Sequence, residues 1–262
     1  LGELRWISQD ANRWGLVYKQ TANIDADPSI NLNSGAGSIP IGNTTTAFTG
    51  KYDGQGFWID DLHINRSSSN EIGLFGVVTN GQITNVRLFD ASIIGNNRVA
   101  VLAGDVTNNS TISSITIVES SVTGSVTVGG VIGRTSSTGI HEYLSYSGIV
   151  SGVFDVNNHQ RGINVGGVIG KMQNNTLLSK SYFNGNISGW NVSNTTNMYA
   201  MFSSATSFNQ DISNWDVSSV TSMDYMFDNT DDLSDDNKCA IHTSFDSNTS
   251  WPYDWESFCS DE

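Results

Sequence analysis

Apolar residues in the middle of the chain fall mostly at every second position, in short runs that share one register. Three of these runs are Ile83, Val86, Leu88, Ala91, Ile93 and Gly95; Ile112, Ile115, Ile117, Ser120, Val122 and Gly124; and Ile140, Tyr143, Ser145, Gly148, Val150 and Gly152. A period of two is that of a β-strand with one buried face. Gly and Asn interrupt the runs where the chain would turn a corner. The pattern therefore predicts short strands joined by tight corners.

A second mark, glycine-apolar-apolar-glycine, separates these runs. It occurs at 73–76, in altered form at 101–104, and again at 130–133 and 167–170, with spacings of 28, 29 and 37 residues. Self-similarity at such a spacing is typical of a solenoid, in which each unit buries its apolar face against its neighbours. We therefore predict a parallel β-solenoid over residues 49–189.

A stricter repeat of 25 residues lies nearer the C-terminus. Its positions Trp190, Val192, Ser193, Thr196, Met198, Met201 and Phe202 recur as Trp215, Val217, Ser218, Thr221, Met223, Met226 and Phe227. A fixed period predicts a second stack, over residues 190–232. Residues between the repeated positions should point outward and differ between the copies. On this basis we predict that Tyr199, Asp224 and Tyr225 form a binding face.

The N-terminal segment has a different pattern. Leu4 and Ile7 share the apolar face of a helix of two to three turns. Strands are then expected to begin near Val17, Ile24 and Ile30. A helix placed here would cover the open first coil of the solenoid, which otherwise exposes unpaired backbone groups.

The predicted architecture is all-β. It is a right-handed parallel β-solenoid with a helical N-terminal cap and a short leucine-rich-repeat-like C-terminal stack. The predicted domains are residues 1–48 for the cap and first strands, 49–189 for the solenoid, 190–232 for the second stack and 233–262 for a C-terminal cap.

Two segments resemble repeats of bacterial surface proteins. The segments Tyr52-Asp53-Gly54-Gln55-Gly56 and Gly73-Leu74-Phe75-Gly76 make the solenoid region similar to GLUG repeats. Trp215-Asp216-Val217-Ser218, followed by Met223 and Met226-Phe227, resembles BspA-like repeats, which are related to leucine-rich repeats. These resemblances imply an extracellular protein that binds or supports, and neither implies a catalytic residue.

Charge excludes some partners. Charged residues make up only 15% of the chain, and its net charge is −14. Eleven of the 26 acidic residues lie between Met223 and Glu262, where Lys238 is the only basic residue apart from histidine. Nucleic acids and anionic membranes need a basic face, so we expect neither as a partner. No apolar run approaches the roughly 20 residues of a membrane span. The chain begins at Leu1, which is expected of a processed or excised piece of a larger protein.

The two cysteines, Cys239 and Cys259, lie close together near the C-terminus. We predict that they form a disulfide that closes the C-terminal cap, which would favour secretion. The alternative is two unpaired thiols in a reducing compartment.

The sequence contains no recognisable motif of reactive or metal-binding residues, so we predict no catalytic, cofactor-binding or metal site. His141-Glu142 lacks the second histidine of a zinc motif, and no nucleophile elbow or phosphate-binding loop occurs. Paired carboxylates occur at Asp60-Asp61, Asp231-Asp232 and Asp235-Asp236, and a glycosidase would need such a pair. Adjacent carboxylates on one strand are expected to point to opposite faces.

Calcium is the one cofactor left open. The acidic C-terminal run contains Asp228, Asp231, Asp232, Asp235 and Asp236 but lacks the spacing of an EF-hand. A second candidate is Asn23, Asp25 and Asp27, which alternate along an extended segment.

The predicted function is a non-catalytic adhesin or ligand-binding module on a bacterial surface or secreted from it. Its expected partner is a host or matrix protein or a glycan, with self-association possible and no membrane insertion. The main alternative is a structural stalk or fibre subunit that assembles through the solenoid ends or edges. Remote alternatives are a carbohydrate-active enzyme and an ice-binding protein. Ice binding is disfavoured because Thr107, Thr116 and Thr127 do not recur at one register position.

Overall fold

The structure, a computed structural model, describes residues 1–152, 164–173, 176–183, 185–190, 192–193 and 195–259. The chain divides into two compact units, Leu1–Gly185 and Asn186–Glu262. Parallel strands dominate the first unit, and turns and one helix make up the second.

The helices and strands follow the predicted distribution. The helices are α1 (Gly2–Ser8) and α2 (Asp235–Phe245), with 3₁₀ segments at Ala11–Arg13, Asp27–Gly35 and Glu256–Phe258. The strands are β1 (Val17–Lys19), β2 (Ile24–Asp25), β3 (Lys51–Asp53), β4 (Trp58–Asp60), β5 (His63–Asn65), β6 (Phe75–Thr79), β7 (Gln82–Thr84), β8 (Arg87–Phe89), β9 (Ser92–Ile94), β10 (Ala103–Asn108), β11 (Thr111–Gly124), β12 (Thr127–Gly129), β13 (Ile132–Ser137), β14 (Ile140–Gly152), β15 (Asn164–Gly166), β16 (Ile169–Met172), β17 (Leu177–Ser179) and β18 (Tyr182–Phe183). Within the described residues, no helix is long and apolar enough to cross a membrane.

All pairings between these strands are parallel, which confirms the predicted β-solenoid. The long strand β11 turns corners with the chain, so it pairs in succession with β7, β8 and β9. On its other side it pairs with β14, which in turn pairs with β17 and β18. A second sheet has the order β16-β13-β10-β6, and β12 pairs with β15.

The period-two apolar positions of the first two predicted runs point into the solenoid. Ile83 pairs in register with Ile112, and Leu88 pairs with Ile117; none of these side chains has exposed surface. Full burial of such a side chain contributes about 1.5–3 kcal/mol. Thr116 lies next to Ile117 and is partly exposed, so neighbouring residues alternate between the interior and the outer surface as predicted.

In the third run the predicted register is wrong by one residue over the first half. His141, Leu144 and Tyr146 pair with Ile112, Ile115 and Ile117 and are buried, whereas Ile140 and Tyr143 are about half exposed. The inward position is taken by His141 because its ring nitrogen bonds to the Thr135 hydroxyl inside the solenoid.

Corners occur at the same register position in neighbouring strands. The residues at one corner are Asn85, Ser114, Tyr143 and Lys180, with φ of 54°, 55°, 54° and 47°. Those at another corner are Asp61, Asp90 and Glu119, with φ of 56°, 49° and 52°. This left-handed backbone is uncommon outside glycine, and asparagine and aspartate adopt it most readily. A single left-handed residue thus ends one flat face and begins the next.

The glycine-apolar-apolar-glycine mark lies where neighbouring coils of the solenoid are in close contact. A Cβ on Gly133 would lie 2.6 Å from the carbonyl oxygen of Gly104, and one on Gly170 would lie 2.7 Å from that of Gly133. Real Cβ atoms do not approach backbone this closely. The last residue of each mark is therefore glycine because the preceding coil occupies the space beside it.

The N-terminal helix α1 caps the solenoid as predicted. Leu4 and Ile7 are buried, and the indole Nε1 of Trp14 donates a hydrogen bond of 2.9 Å to the carbonyl oxygen of Ile7. The predicted strand start at Ile30 is wrong. Ile30 lies in the 3₁₀ segment Asp27–Gly35, which has Pro28 in its first turn, and half of the Ile30 surface is exposed. Proline fixes φ near −65° and favours such a helical start.

The 25-residue repeats of the second unit stack in register. Several backbone hydrogen bonds join the copies, among them Met198 N–H to the Ser222 oxygen at 2.8 Å, Ala200 N–H to the Asp224 oxygen at 3.0 Å, and Phe202 N–H to the Met226 oxygen at 2.8 Å. The described residues of 190–232 contain turns but no strand. Met198, Met223 and Met226 are buried between the copies.

Candidate functional site

Tyr199, Asp224 and Tyr225 form an exposed surface on the second unit, which we call the tyrosine face. The exposed fractions are 57% for Tyr199 and 56% for Tyr225, and Asp224 is also exposed. The two phenol rings meet edge to face, with centroids 5.6 Å apart and planes 72° from parallel. Such a pair is favourable beyond its buried area. The rings thus support each other while their remaining surface faces solvent.

The repeat backbone holds the tyrosine face in place. Tyr199 N–H donates a hydrogen bond of 2.8 Å to the Asn197 side chain. The next residue, Ala200, is bonded through its N–H to the carbonyl oxygen of Asp224. Tyr225 has φ of 59°, and its counterpart in the first copy, Ala200, has φ of 52°. The two tyrosines therefore come from neighbouring turns of one hydrogen-bonded ladder.

An aromatic cluster packs at the C-terminal end of the same unit. Phe227 N–H donates a hydrogen bond of 2.8 Å to the Tyr253 hydroxyl, and the Tyr253 and Trp255 rings stack with centroids 4.8 Å apart. Burial raises the pKa of Tyr253, and the charges of Asp228 and Asp224 add to this effect. These rings are partly buried, and their contacts indicate a structural role at the end of the stack.

A disulfide closes this C-terminal segment. Cys239 lies in α2 and Cys259 follows the last 3₁₀ segment, and their sulfur atoms are 2.09 Å apart. Helix α2 is capped at its start by Ser234, whose hydroxyl accepts a hydrogen bond from Asn237 N–H. The disulfide therefore links the capped helix α2 to the segment that follows the last 3₁₀ helix.

Three carboxylates meet at a solenoid corner. Oxygen atoms of Asp60, Asp61 and Asp90 all lie within 4.8 Å of one another. The expectation that Asp60 and Asp61 point to opposite faces is wrong, because Asp61 is the left-handed corner residue and turns away from the strand path. Desolvation and the negative charges of Asp60 and Asp90 raise the pKa of the Asp61 carboxyl. Asp90 is not recognisable as a member of this group from the pairing of adjacent carboxylates, although its distance of 29 residues from Asp61 is the repeat spacing.

Some residues of the two calcium candidates make other local contacts. In the C-terminal run, Asp235 forms an ion pair of 3.2 Å with Lys238, and none of the five aspartates joins a group of three ligands among the described residues. In the second candidate, Asn23 accepts a hydrogen bond of 3.0 Å from Trp58 N–H. Asp25 pairs in register with Asp60 and so lies beside the carboxylate corner.

Histidines contribute to packing in the described part of the chain. The His141 ring is fully buried, with Nε2 2.9 Å from the Thr135 hydroxyl, and burial lowers its pKa to about 4. His242 Nδ1 accepts a hydrogen bond of 3.0 Å from the Trp251 indole. His159 lies outside the described residues. No described histidine joins a group of three potential metal ligands.

Comparisons with known proteins reveal similarity on part of the chain. Residues 152–258 match a family described as "Mycoplasma protein of unknown function, DUF285". A segment of 141 residues is 41% identical to halomucin of Haloquadratum walsbyi, and the match covers 52% of this chain and 2% of halomucin. The chain thus spans a very small part of that relative. No solved structure matches.

Proposed function

We propose that this chain is a non-catalytic recognition module of a cell-surface or secreted protein, and that its tyrosine face binds the target. The expected target is a matrix or host protein or a glycan. The single observation that carries this proposal is the pair of half-exposed tyrosines, Tyr199 and Tyr225, held by one backbone ladder.

Exposed aromatic rings on a rigid support favour recognition. Tyrosine gives a large contact area at a low cost in side-chain entropy and is enriched at the centre of protein interfaces. The stacked backbone fixes the tyrosine face before any partner arrives, which reduces the entropy lost on binding. Asp224 adds a charged acceptor beside the rings for hydroxyl or amine groups of a partner.

Two further observations favour an extracellular location. The Cys239–Cys259 disulfide is the kind of cross-link that persists in oxidising compartments. The similarity to halomucin, a relative named as a mucin, also supports a place at or outside the cell surface. The 25-residue ladder supplies the continuous extended surface that repeat proteins use for binding.

A screen of the purified chain tests this proposal. The chain is applied to immobilised glycans and matrix proteins, and mass spectrometry follows soluble glycans and peptides incubated with it. We expect saturable binding to at least one target and no shortening of any substrate. Turnover of a polysaccharide or peptide would contradict the proposal, as would the absence of binding to any target.

A structural subunit is the second candidate function, and the first strands favour it. β1 pairs with β3 and β2 with β4, and neither has a second partner among the described strands. Val17 in β1 is 68% exposed. Helix α1 covers the apolar interior of the first coil through Leu4 and Ile7, and an outer strand edge that remains accessible can pair with another chain. If the chain forms fibres, sedimentation should show assembly that increases with concentration and is reduced by Val17→Lys.

A further inference from the structure

A shallow groove of about 680 Å³ follows one solenoid corner in the first unit. We call it the corner groove, and its lining includes Asn85, Arg87, Ser114, Thr116, Tyr143 and Lys180. Asn85, Ser114, Tyr143 and Lys180 occupy equivalent corner positions, and Arg87 pairs in register with Thr116. Because neighbouring strands are about 4.8 Å apart, the groove is roughly 14 Å long from Asn85 to Lys180.

The charges in the corner groove are opposite in sign to the net charge of the chain. Its lining contains two cations, Arg87 and Lys180, and no carboxylate, although the whole chain has a net charge of −14. Neither cation forms an ion pair among the described residues, whereas Arg98 and Arg134 both pair with Asp105. Arg87 and Lys180 are exposed at the groove surface. Lys180 is held by Tyr143 and lies near Glu142, but its exposed ammonium group has further N–H donors for an anionic ligand.

Aromatic and neutral polar groups lie between and beside the two cations. Tyr143 is 48% exposed, and Lys180 Nζ donates a hydrogen bond of 2.7 Å to its hydroxyl. The Arg87 guanidinium lies 5.4 Å from the centre of the Trp58 ring, which limits where it can point. Ser114 and Thr116 are short polar side chains on the groove floor. Across the groove, hydroxyl groups and an aromatic ring therefore lie between the two cationic side chains.

We propose that the corner groove binds a strand of acidic polysaccharide. A long, open groove that crosses the strands fits a linear polymer better than a compact small molecule. Carboxylate or sulfate groups on the polymer would contact Arg87 and Lys180, and charge-assisted hydrogen bonds of this kind are the strong ones. A sugar ring would lie on the exposed face of Tyr143, and its hydroxyl groups would bond to Asn85, Ser114 and Thr116.

The small number of cations in the groove disfavours nucleic acid as the ligand, and polyglutamate in the test below distinguishes a glycan from an acidic peptide. Nucleic-acid binding requires many neutralised phosphates, and this groove offers two cations. This site goes beyond the proposed function, because it lies in the other unit and uses none of the tyrosine face.

Affinity electrophoresis of the full chain tests the corner groove. The gels contain alginate, which has carboxylates, dextran sulfate, which has sulfate esters, neutral dextran or polyglutamate. The test variant is Arg87→Gln with Lys180→Gln. The matched control is Arg5→Gln with Lys51→Gln, which removes one arginine and one lysine charge from exposed positions outside the groove. Thermal melting confirms that both variants fold.

We expect alginate or dextran sulfate to retard the wild-type chain and the control, with neutral dextran and polyglutamate having no such effect. The anion that retards more strongly identifies the preferred acidic group. The groove variant should lose about tenfold or more in affinity, since both charged contacts disappear. A third variant, Thr116→Trp, blocks the groove floor without a change of charge and should also lose affinity.

Three results would overturn the proposal. The first is an unretarded wild-type chain, and the second is equal loss of affinity in the groove variant and the control. The third is equal retardation by polyglutamate, which would identify any anionic polymer as sufficient. Binding at the tyrosine face is unaffected by these substitutions, so the two proposals fail or succeed separately.

Discussion

The His141 ring lies inside the solenoid with Nε2 2.9 Å from the Thr135 hydroxyl, and its neutral form is favoured there. Burial lowers the pKa of His141 to about 4, against about 6.5 in the unfolded chain. Between these two values the unfolded state binds more protons, so stability is lost as pH falls from about 6.5 to about 4. The loss assigned to this residue is roughly 3 kcal/mol.

Thermal melting between pH 7 and pH 4 measures this effect. His141→Gln keeps a hydrogen-bonding side chain beside Thr135 but does not titrate, and we expect its stability to depend less on pH. Contributions from the carboxylates are common to both proteins and cancel in the comparison. Equal pH dependence of the wild-type chain and the variant would contradict the assignment.

An introduced carboxylate should strongly destabilise the solenoid at an inward position and have little effect on stability at an outward one. Val131 has no exposed surface, so Val131→Asp would bury an unpaired carboxylate and should cost several kcal/mol or unfold the solenoid. Thr116 faces outward, and Thr116→Asp should change stability by less than about 0.5 kcal/mol. Chemical denaturation measures both variants. Equal stability of the two would show that the register is wrong.

The close contact at the glycine marks predicts that a single added methyl group destabilises the solenoid. A Cβ on Gly133 would lie 2.6 Å from the Gly104 oxygen, so Gly133→Ala should destabilise the solenoid by about 1–3 kcal/mol through overpacking. Gly15→Ala is the matched control, because its Cβ would come no closer than 3.6 Å to any neighbour. If the melting temperatures of the two variants agree, the coils do not touch at Gly133.

The disulfide predicts a difference between the two units on reduction. Cys239 and Cys259 are 20 residues apart, and closing such a loop stabilises by about 3 kcal/mol in the chain-entropy model. We expect a reductant to lower the melting temperature of the second unit and to leave the solenoid unchanged. In a variant with both Cys239→Ser and Cys259→Ser, the second unit should have a lower melting temperature, and the reductant should not change it further. Two free thiols in the native secreted protein, found by mass spectrometry, would contradict this prediction.

The strand register of the first two runs could be predicted from the sequence because its signal is local, whereas the register of the run that begins at Ile140 was missed by one residue, because the buried His141 does not look apolar in the sequence. Alternating burial along Ile112, Ile115 and Ile117 requires only the period of a strand. The predicted strand start at Ile30 is wrong because a single apolar residue cannot show the two-residue alternation of a strand. The nearby Pro28 favours a helical turn instead.

Features that depend on alignment between coils were harder to predict. The carboxylate corner combines residues 29 apart in sequence, and the corner groove combines residues from coils that are 29 and 37 residues apart. Their geometry also depends on left-handed corner residues such as Asp61 and Tyr143. Aspartate adopts this backbone readily but also occurs in many other conformations, and tyrosine gives no such signal in the sequence. For the tyrosine face, the 25-residue repeat identified the positions, but the edge-to-face contact of Tyr199 with Tyr225 depends on the stack.

Attachment of a matched pair of variants to the target surface tests the role of the tyrosine face most directly. The face variant combines Tyr199→Ser, Asp224→Asn and Tyr225→Asn, with asparagine chosen because it tolerates the φ of 59° at residue 225. The control combines Trp6→Ser, Phe57→Ser and Asp27→Asn, which removes two exposed rings and one carboxylate from the first unit.

Both variants should remain folded, as judged by circular dichroism and melting. The account predicts that the face variant loses attachment to the target cell or matrix by about tenfold or more, since truncation of a central aromatic residue in an interface costs over 1 kcal/mol. The control should attach like the wild-type chain. Unchanged attachment of the folded face variant would contradict the account.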